Sequence, residues 1–164
     1  MDLPKRKPNR LSYYDYSTPG AYFITICTKD RRCIFWDNVG ASIARPKKPQ
    51  LSEYGLVVDR AIRDIPIHYP AITVDHFVIM PNHIHLLLQI NTSADGQQLA
   101  SKKISTVIQQ LKGVVTKQIG HPIWQKLFHD HIIRGEKDYL KIWEYIDTNP
   151  ARWNEDCFYK EYLI

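Results

Sequence analysis

Apolar and polar residues follow two different periods along the chain, and the switches between them mark its elements. Residues 21–28, AYFITICT, are aromatic and β-branched and follow Pro19-Gly20, so they read as a strand entered from a turn. Cys33, Ile34 and Phe35 are expected to extend that sheet after a short turn at Asp30-Arg31. From Leu51 to Ile65 the apolar positions Tyr54, Val58, Ala61, Ile62 and Ile65 recur at helical spacing, with Ser52 as N-cap and Pro66 as the stop. Residues 71–80, AITVDHFVIM, and 83–90, HIHLLLQI, are two strand-like runs separated by Pro81-Asn82, which predicts an antiparallel pair with a tight connection. Ile104, Val107, Ile108, Leu111, Val115 and Ile119 mark a second amphipathic helix containing Gly113. An extended segment runs from about Ile123 to Arg134, and a last helix covers residues 136–148 before Pro150 ends it. In order this is β-α-β-β-α-β plus a final helix, an α+β, ferredoxin-like pattern with an antiparallel sheet. Both long helices are expected on one face of that sheet, with the other face free.

The length of 164 residues is enough for one domain with a true core, and no internal repeat or boundary divides it, so residues 1–164 are read as one unit with a basic arm at 1–10. A composition 44% hydrophobic and 24% charged excludes wholesale disorder and a disulfide scaffold. No apolar run approaches the roughly 20 residues that cross a bilayer, and the basic start MDLPKRKPNR has no apolar stretch behind it, so a cytoplasmic protein is expected. Cys27, Cys33 and Cys157 form no CxxC pair and are expected as reduced thiols buried among apolar groups.

Charge changes the picture once it is divided along the chain. The overall +5 is the sum of +6 over residues 1–48 and −1 over residues 49–164. Lys5, Arg6, Lys7 and Arg10 form an arm punctuated by prolines, Arg31 and Arg32 follow the first strand, and Arg45, Lys47 and Lys48 lie in a loop. Such clusters neutralise phosphates and release counterions, which makes a nucleic acid a plausible partner beside the alternative of solvated tails and loops.

The candidate chemistry lies in the second half. His83 and His85 flank Ile84 on a strand, so both imidazoles point to one face, a half-site for a divalent metal or a pair of hydrogen-bonded surface histidines. Tyr145 and Asn149, four residues apart on the last helix, share a face within about 40°. Asn149 offers a carbonyl oxygen suited to a hard cation, or a helix cap before Pro150. Tyr145 offers a phenolic oxygen able to attack phosphorus, or an amphipathic packing ring. His129 and His131 repeat the His-x-His spacing without a nucleophile beside them. Tyr139 falls on another helical face, Tyr13, Tyr14 and Tyr16 suit stacking or packing, and His68, His76 and His121 lack partner spacing.

Four separated blocks, in order, carry a resemblance. VIMPNHIHLLL resembles the HUH motif (His, bulky hydrophobic, His) of the single-tyrosine IS200-like transposases, and KDYLKIWEYIDTNPARW is similar to the tyrosine helix of their REP-associated subgroup. RLSYYDYSTPGAYFITICT and IWQKLFHDHIIR resemble that subgroup's opening strand and the segment before its catalytic helix, so the likeness spans residues 10–156. The resemblance implies a metal-dependent single-stranded DNA endonuclease and strand transferase acting on hairpins such as REP-like palindromes. His83, His85 and Asn149 would hold Mg²⁺ or Mn²⁺, and Tyr145 would attack phosphorus to leave a 5′-phosphotyrosine and a free 3′-OH. Imidazole ligands favour Mn²⁺ over Mg²⁺ in affinity, and Zn²⁺ is expected to bind. Lys5, Arg6, Lys7, Arg10, Arg31, Arg32, Lys102 and Lys103 are the expected DNA contacts, with Lys112 and Lys117 beside them. The alternatives are a non-catalytic nucleic-acid-binding module on the same fold and a simple hydrolase using His83, His85, His129 and His131. A monomer and a homodimer are both compatible with the sequence.

Overall fold

A computed structural model describes residues 13–37, 49–93 and 102–159. The four strands are β1 (Gly20–Cys27), β2 (Ile72–Ile79), β3 (His83–Ile90) and β4 (His129–Ile132), joined in the order β2-β3-β1-β4 with every pairing antiparallel. The helices are α1 (Glu53–Arg63), α2 (Ile65–His68), α3 (Ile104–Ile119) and α4 (Glu136–Thr148). This is the α+β, ferredoxin-like arrangement expected from the order of periods. Among the described residues no helix is long and apolar enough to cross a membrane.

The period of two decides what each sheet face does. Tyr22, Ile24 and Ile26 of β1 and Ile84, Leu86, Leu88 and Ile90 of β3 point to one face, where they pack with Val58 and Ile62 of α1 and Val107, Ile108 and Leu111 of α3. Fully buried apolar side chains of this size contribute about 1.5–3 kcal/mol each, so this layer dominates the stability. Phe23 and Thr25 of β1 and His83, His85 and Leu87 of β3 take the opposite face. That face is not free as expected: Ile142 and Ile146 of α4 close a second, smaller apolar cluster on Leu87, with Phe23, Val78 and Tyr139 around it.

Local signals place the helix ends. Ser52 caps α1, its hydroxyl accepting from the Gly55 backbone N–H at 3.1 Å. Gly120, at φ 90°, ends α3. Pro66 does not terminate the chain's helical course. It occupies the first turn of α2, where a missing N–H costs nothing.

Two extended readings are corrected. Cys33, Ile34 and Phe35 are not a strand: a 3₁₀ turn at Lys29–Arg31 redirects the chain, and the Ile34 and Phe35 N–H groups both donate to the Pro81 carbonyl at 2.9 and 3.1 Å. Phe35 is fully buried from a loop strapped across the β2–β3 turn, and Ile34 packs beside it against the same core. The segment from Ile123 to Arg134 pairs as a strand only over His129–Ile132, with an isolated bridge between Thr28 and Trp124 upstream. All three cysteines are free thiols, as expected, but only Cys27 is buried: Cys33 is half-buried and Cys157 exposed.

Candidate metal and nucleophile site

The site grows from the β2–β3 turn. Asn82 is fully buried and saturated: its carbonyl accepts from the Thr28 N–H at 2.9 Å and hydroxyl at 3.0 Å, and its Nδ2 donates to the carbonyls of Phe158 at 2.8 Å and Arg31 at 3.3 Å. Its Oδ1 lies 2.8 Å from His83 Nδ1 and, being an acceptor only, requires the proton to sit on Nδ1. His83 Nε2 is therefore a lone pair.

That lone pair lies 3.0 Å from His85 Nε2. His85 is fixed from the next strand, its Nδ1 2.8 Å from Thr25 Oγ1 directly across the β1–β3 register. Without a cation, His85 bridges to His83 by carrying its proton on Nε2. With the proton moved to Nδ1 and donated to Thr25, both Nε2 lone pairs converge on one point. Burial holds both rings neutral, pushing His83 down to about 2, with the neighbouring His85 and Arg31 adding to the effect, and His85 down to about 3.

α4 supplies the oxygen side. The Tyr145 hydroxyl stands 3.4 Å from His85 Nε2, its ring edge-on to Phe23 and to His85, and the residue keeps 40% exposure. Burial and then the negative charge of Asp156 push its phenol up to about 12, against a side-chain hydrogen bond with Asn149 that pulls it down. Asn149, 4% exposed at the end of α4, presents an Oδ1 with no hydrogen-bond partner.

A residue outside the sequence expectations joins these. Asp156 follows the 3₁₀ segment Asn149–Glu155, and its carboxylate lies with His83 and His85 in a group whose ligand atoms are all within 4.8 Å of one another. Its Oδ2 is 3.7 Å from His83 Nε2. No motif or spacing marks it, because it lies beyond the periodic part of α4 and reaches the site only through the turn that follows. Thr25 and Asn82 carry no signal of their orienting roles either, although Asn82 stands beside the HUH motif.

Two imidazole Nε2 atoms 3.0 Å apart, the buried Asp156 Oδ2 beside them and the unpartnered Asn149 Oδ1 at the end of α4 fit a divalent cation with mixed nitrogen and oxygen ligands. Among the described residues this is the one group of three or more His, Cys, Asp or Glu ligand atoms. His129 and His131 lie on the same sheet face but on edge strand β4, and His131 Nε2 is held by Asp138 at 2.8 Å, so they form no second centre. Tyr139 donates to Asp75 at 2.8 Å, and His76 stacks on Trp143.

The expected DNA contacts separate into groups. Arg31 and Arg32 are exposed, and the Arg31 guanidinium sits 5.1 Å over the Phe158 ring, which itself lies 4.6 Å from His83. Arg31 thus borders the site. Lys102 and Lys103 are exposed at the start of α3, tied by the Ile104 N–H to the Tyr16 carbonyl beside the other end of β1, roughly 20 Å away. Lys5, Arg6, Lys7, Arg10, Arg45, Lys47 and Lys48 lie outside the described residues.

Comparison with known proteins adds relatives in sequence and in fold. No family model matches the chain. An uncharacterized protein of Haemophilus influenzae is 34% identical over 173 residues, covering 94% of this chain and 93% of its own. A second protein of that organism, named "Putative REP-associated tyrosine transposase", is 28% identical over 84% of this chain and 74% of its own. The solved structure of a REP-associated tyrosine transposase bound to a REP hairpin shares the fold, with a TM-score of 0.63 and 21% identity over 90% of this chain and 74% of that one. In sequence and in fold the chain is thus similar to the REP-associated tyrosine transposases.

Proposed function

We propose that the protein, acting through residues 1–164 as one catalytic unit, cleaves and rejoins single-stranded DNA beside hairpins by a metal-dependent attack of Tyr145. The observation that carries this reading is the convergence of His83 and His85 Nε2, 3.0 Å apart, beside the Tyr145 hydroxyl at 3.4 Å. His83, His85 and Asn149 would hold Mg²⁺ or Mn²⁺, which when bound would neutralise charge gathering on the scissile phosphate.

The rest falls to the chain itself. Tyr145 Oη forms a bond to phosphorus as its proton passes to water, the bond to the 3′ oxygen breaks, and that oxygen takes a proton back from water and leaves as a free 3′-OH. The 5′ side stays on the enzyme as a phosphotyrosine, whose phosphoester remains available to the 3′-OH of another strand. Phe23 and His85 hold the Tyr145 ring from two sides, which limits the approach of its oxygen. Arg31, bordering the site, contacts the backbone phosphates, and Lys102 and Lys103 contact a more distant part of the same DNA. A hairpin partner is supported by the relative solved with one.

The test is a cleavage assay on labelled hairpin oligonucleotides from the gene's flanks, with Mn²⁺ or Mg²⁺, read on a denaturing protein gel. Label should travel with the wild-type protein and be absent for Tyr145→Phe. Binding without covalent label would leave a non-catalytic DNA-binding module. Free product from both proteins would instead assign hydrolysis to the histidine centre.

A further inference from the structure

We propose that Asp156 is a protein ligand of the divalent cation, so that the centre joins two imidazoles to a carboxylate. This rests on the metal reading above and adds a charge to it, because the expected set of His83, His85 and Asn149 is neutral.

The argument starts from a buried anion that lacks a cation. The Asp156 side chain is 2% exposed. Its Oδ1 accepts from the Phe158 N–H at 2.7 Å and so serves the turn, whereas Oδ2 is buried with no hydrogen-bond partner. His83 Nε2 lies 3.7 Å from Oδ2, and Asn82 has already fixed the His83 proton on the far nitrogen. Oδ2 therefore faces a lone pair, with the His85 Nε2 atom in the same group. These three acceptor atoms hold at most one proton, on His85 Nε2; the Tyr145 hydroxyl, 3.4 Å from that nitrogen, is the other donor at hand, and Oδ2 has no hydrogen-bond partner. A buried carboxylate opposed by lone pairs is unfavourable unless a cation stands among them.

The segment bearing Asp156 is tied in place rather than draped there. The Asp156 N–H donates to the Trp153 carbonyl at 3.1 Å, Trp153 is buried behind the His83 ring, and Asn82 Nδ2 donates to the Phe158 carbonyl at 2.8 Å. The residue that orients His83 thus also anchors the chain two residues beyond Asp156. A carboxylate adds a hard oxygen to two borderline nitrogens, a set suited to Mn²⁺, and lowers the net positive charge of the loaded centre.

The test uses the full chain and Mn²⁺ alone, by calorimetric titration and by thermal melts with and without the ion. Asp156→Asn keeps the shape and the Oδ1 acceptor while removing the charge, and Asp156→Ser is the second variant. Mn²⁺ affinity is expected to fall at least tenfold. The metal-free melting temperature is expected to hold or rise, and the rise induced by Mn²⁺ to shrink. A purely structural Asp156 would give the reverse: a lower metal-free melting temperature with Mn²⁺ affinity within twofold of wild type, which overturns the proposal. His85→Ala separates the two readings. Loss of Mn²⁺ binding there with retention in Asp156→Asn leaves the metal centre standing and removes Asp156 from it, while a wild-type protein that binds no Mn²⁺ removes both.

Discussion

At the scale of single residues, the site is a set of polar groups kept in a state that only the fold enforces. His83 and His85 are buried and neutral, with affinities for protons far below those of free imidazole. In the unfolded chain they titrate near 6.5. The folded values are depressed, so the unfolded state binds more protons below that pH. Their stabilising contribution is complete above 6.5 and is lost as pH falls toward the folded values. For the metal-free protein, urea unfolding is expected to weaken by about 2 kcal/mol per histidine between pH 7 and pH 5. His85→Gln should flatten that dependence by about half, and an unchanged slope would mean that His85 binds its proton equally well in the folded and unfolded chain. Tyr145 presents the opposite case. Its phenol is held up near 12 by burial and by Asp156, the reverse of the two depressed imidazoles.

At the scale of elements, close approach explains one glycine and leaves another open to change. A Cβ on Gly55 would run into the Phe35 carbonyl oxygen, the same oxygen that accepts from the Ser52 N–H at 2.9 Å, so α1 meets the 33–36 loop with no room to spare. Gly55→Ala is expected to cost about 2–3 kcal/mol in urea unfolding. Gly113, inside α3 with nothing within 4 Å of its missing Cβ, should respond oppositely, Gly113→Ala adding about 0.5–1 kcal/mol. The same elements show what is legible in the sequence. β1 and β3 are largely apolar runs bounded by turn residues, and α1 has its cap at Ser52, so strand and helix spans and the elements that carry His83, His85 and Tyr145 follow from pattern. Ile34 and Phe35 mislead because a buried loop and a strand both read as apolar. Asp156 and Thr25 are illegible because each meets the site beside a residue of another element, His83 and His85 respectively, which no local spacing encodes.

At the scale of the whole molecule, basic groups lie at both ends of the sheet, Arg31 at the site and Lys102 with Lys103 by the start of β1. If both ends touch one DNA, Lys102→Ala with Lys103→Ala should weaken hairpin binding and lower the salt slope by about 0.7–0.9 for each phosphate no longer neutralised. Filter or fluorescence binding at several salt concentrations measures this, and an unchanged slope would confine the DNA to the Arg31 end.

The central position of β3, hydrogen-bonded on both sides, has a further consequence. The two histidines ride on the part of the protein with the most secure backbone, whereas Tyr145 and Asn149 ride on α4, held by the small cluster around Leu87, Ile142 and Ile146. The two halves of the site should therefore differ in local free energy. In deuterium exchange, amides of β1 and β3 should open only with global unfolding and those of α4 through a cheaper local opening. A cation that bridges the halves would carry α4 toward the protection of the sheet, so that loading the site would also be the event that joins two cooperative units into one.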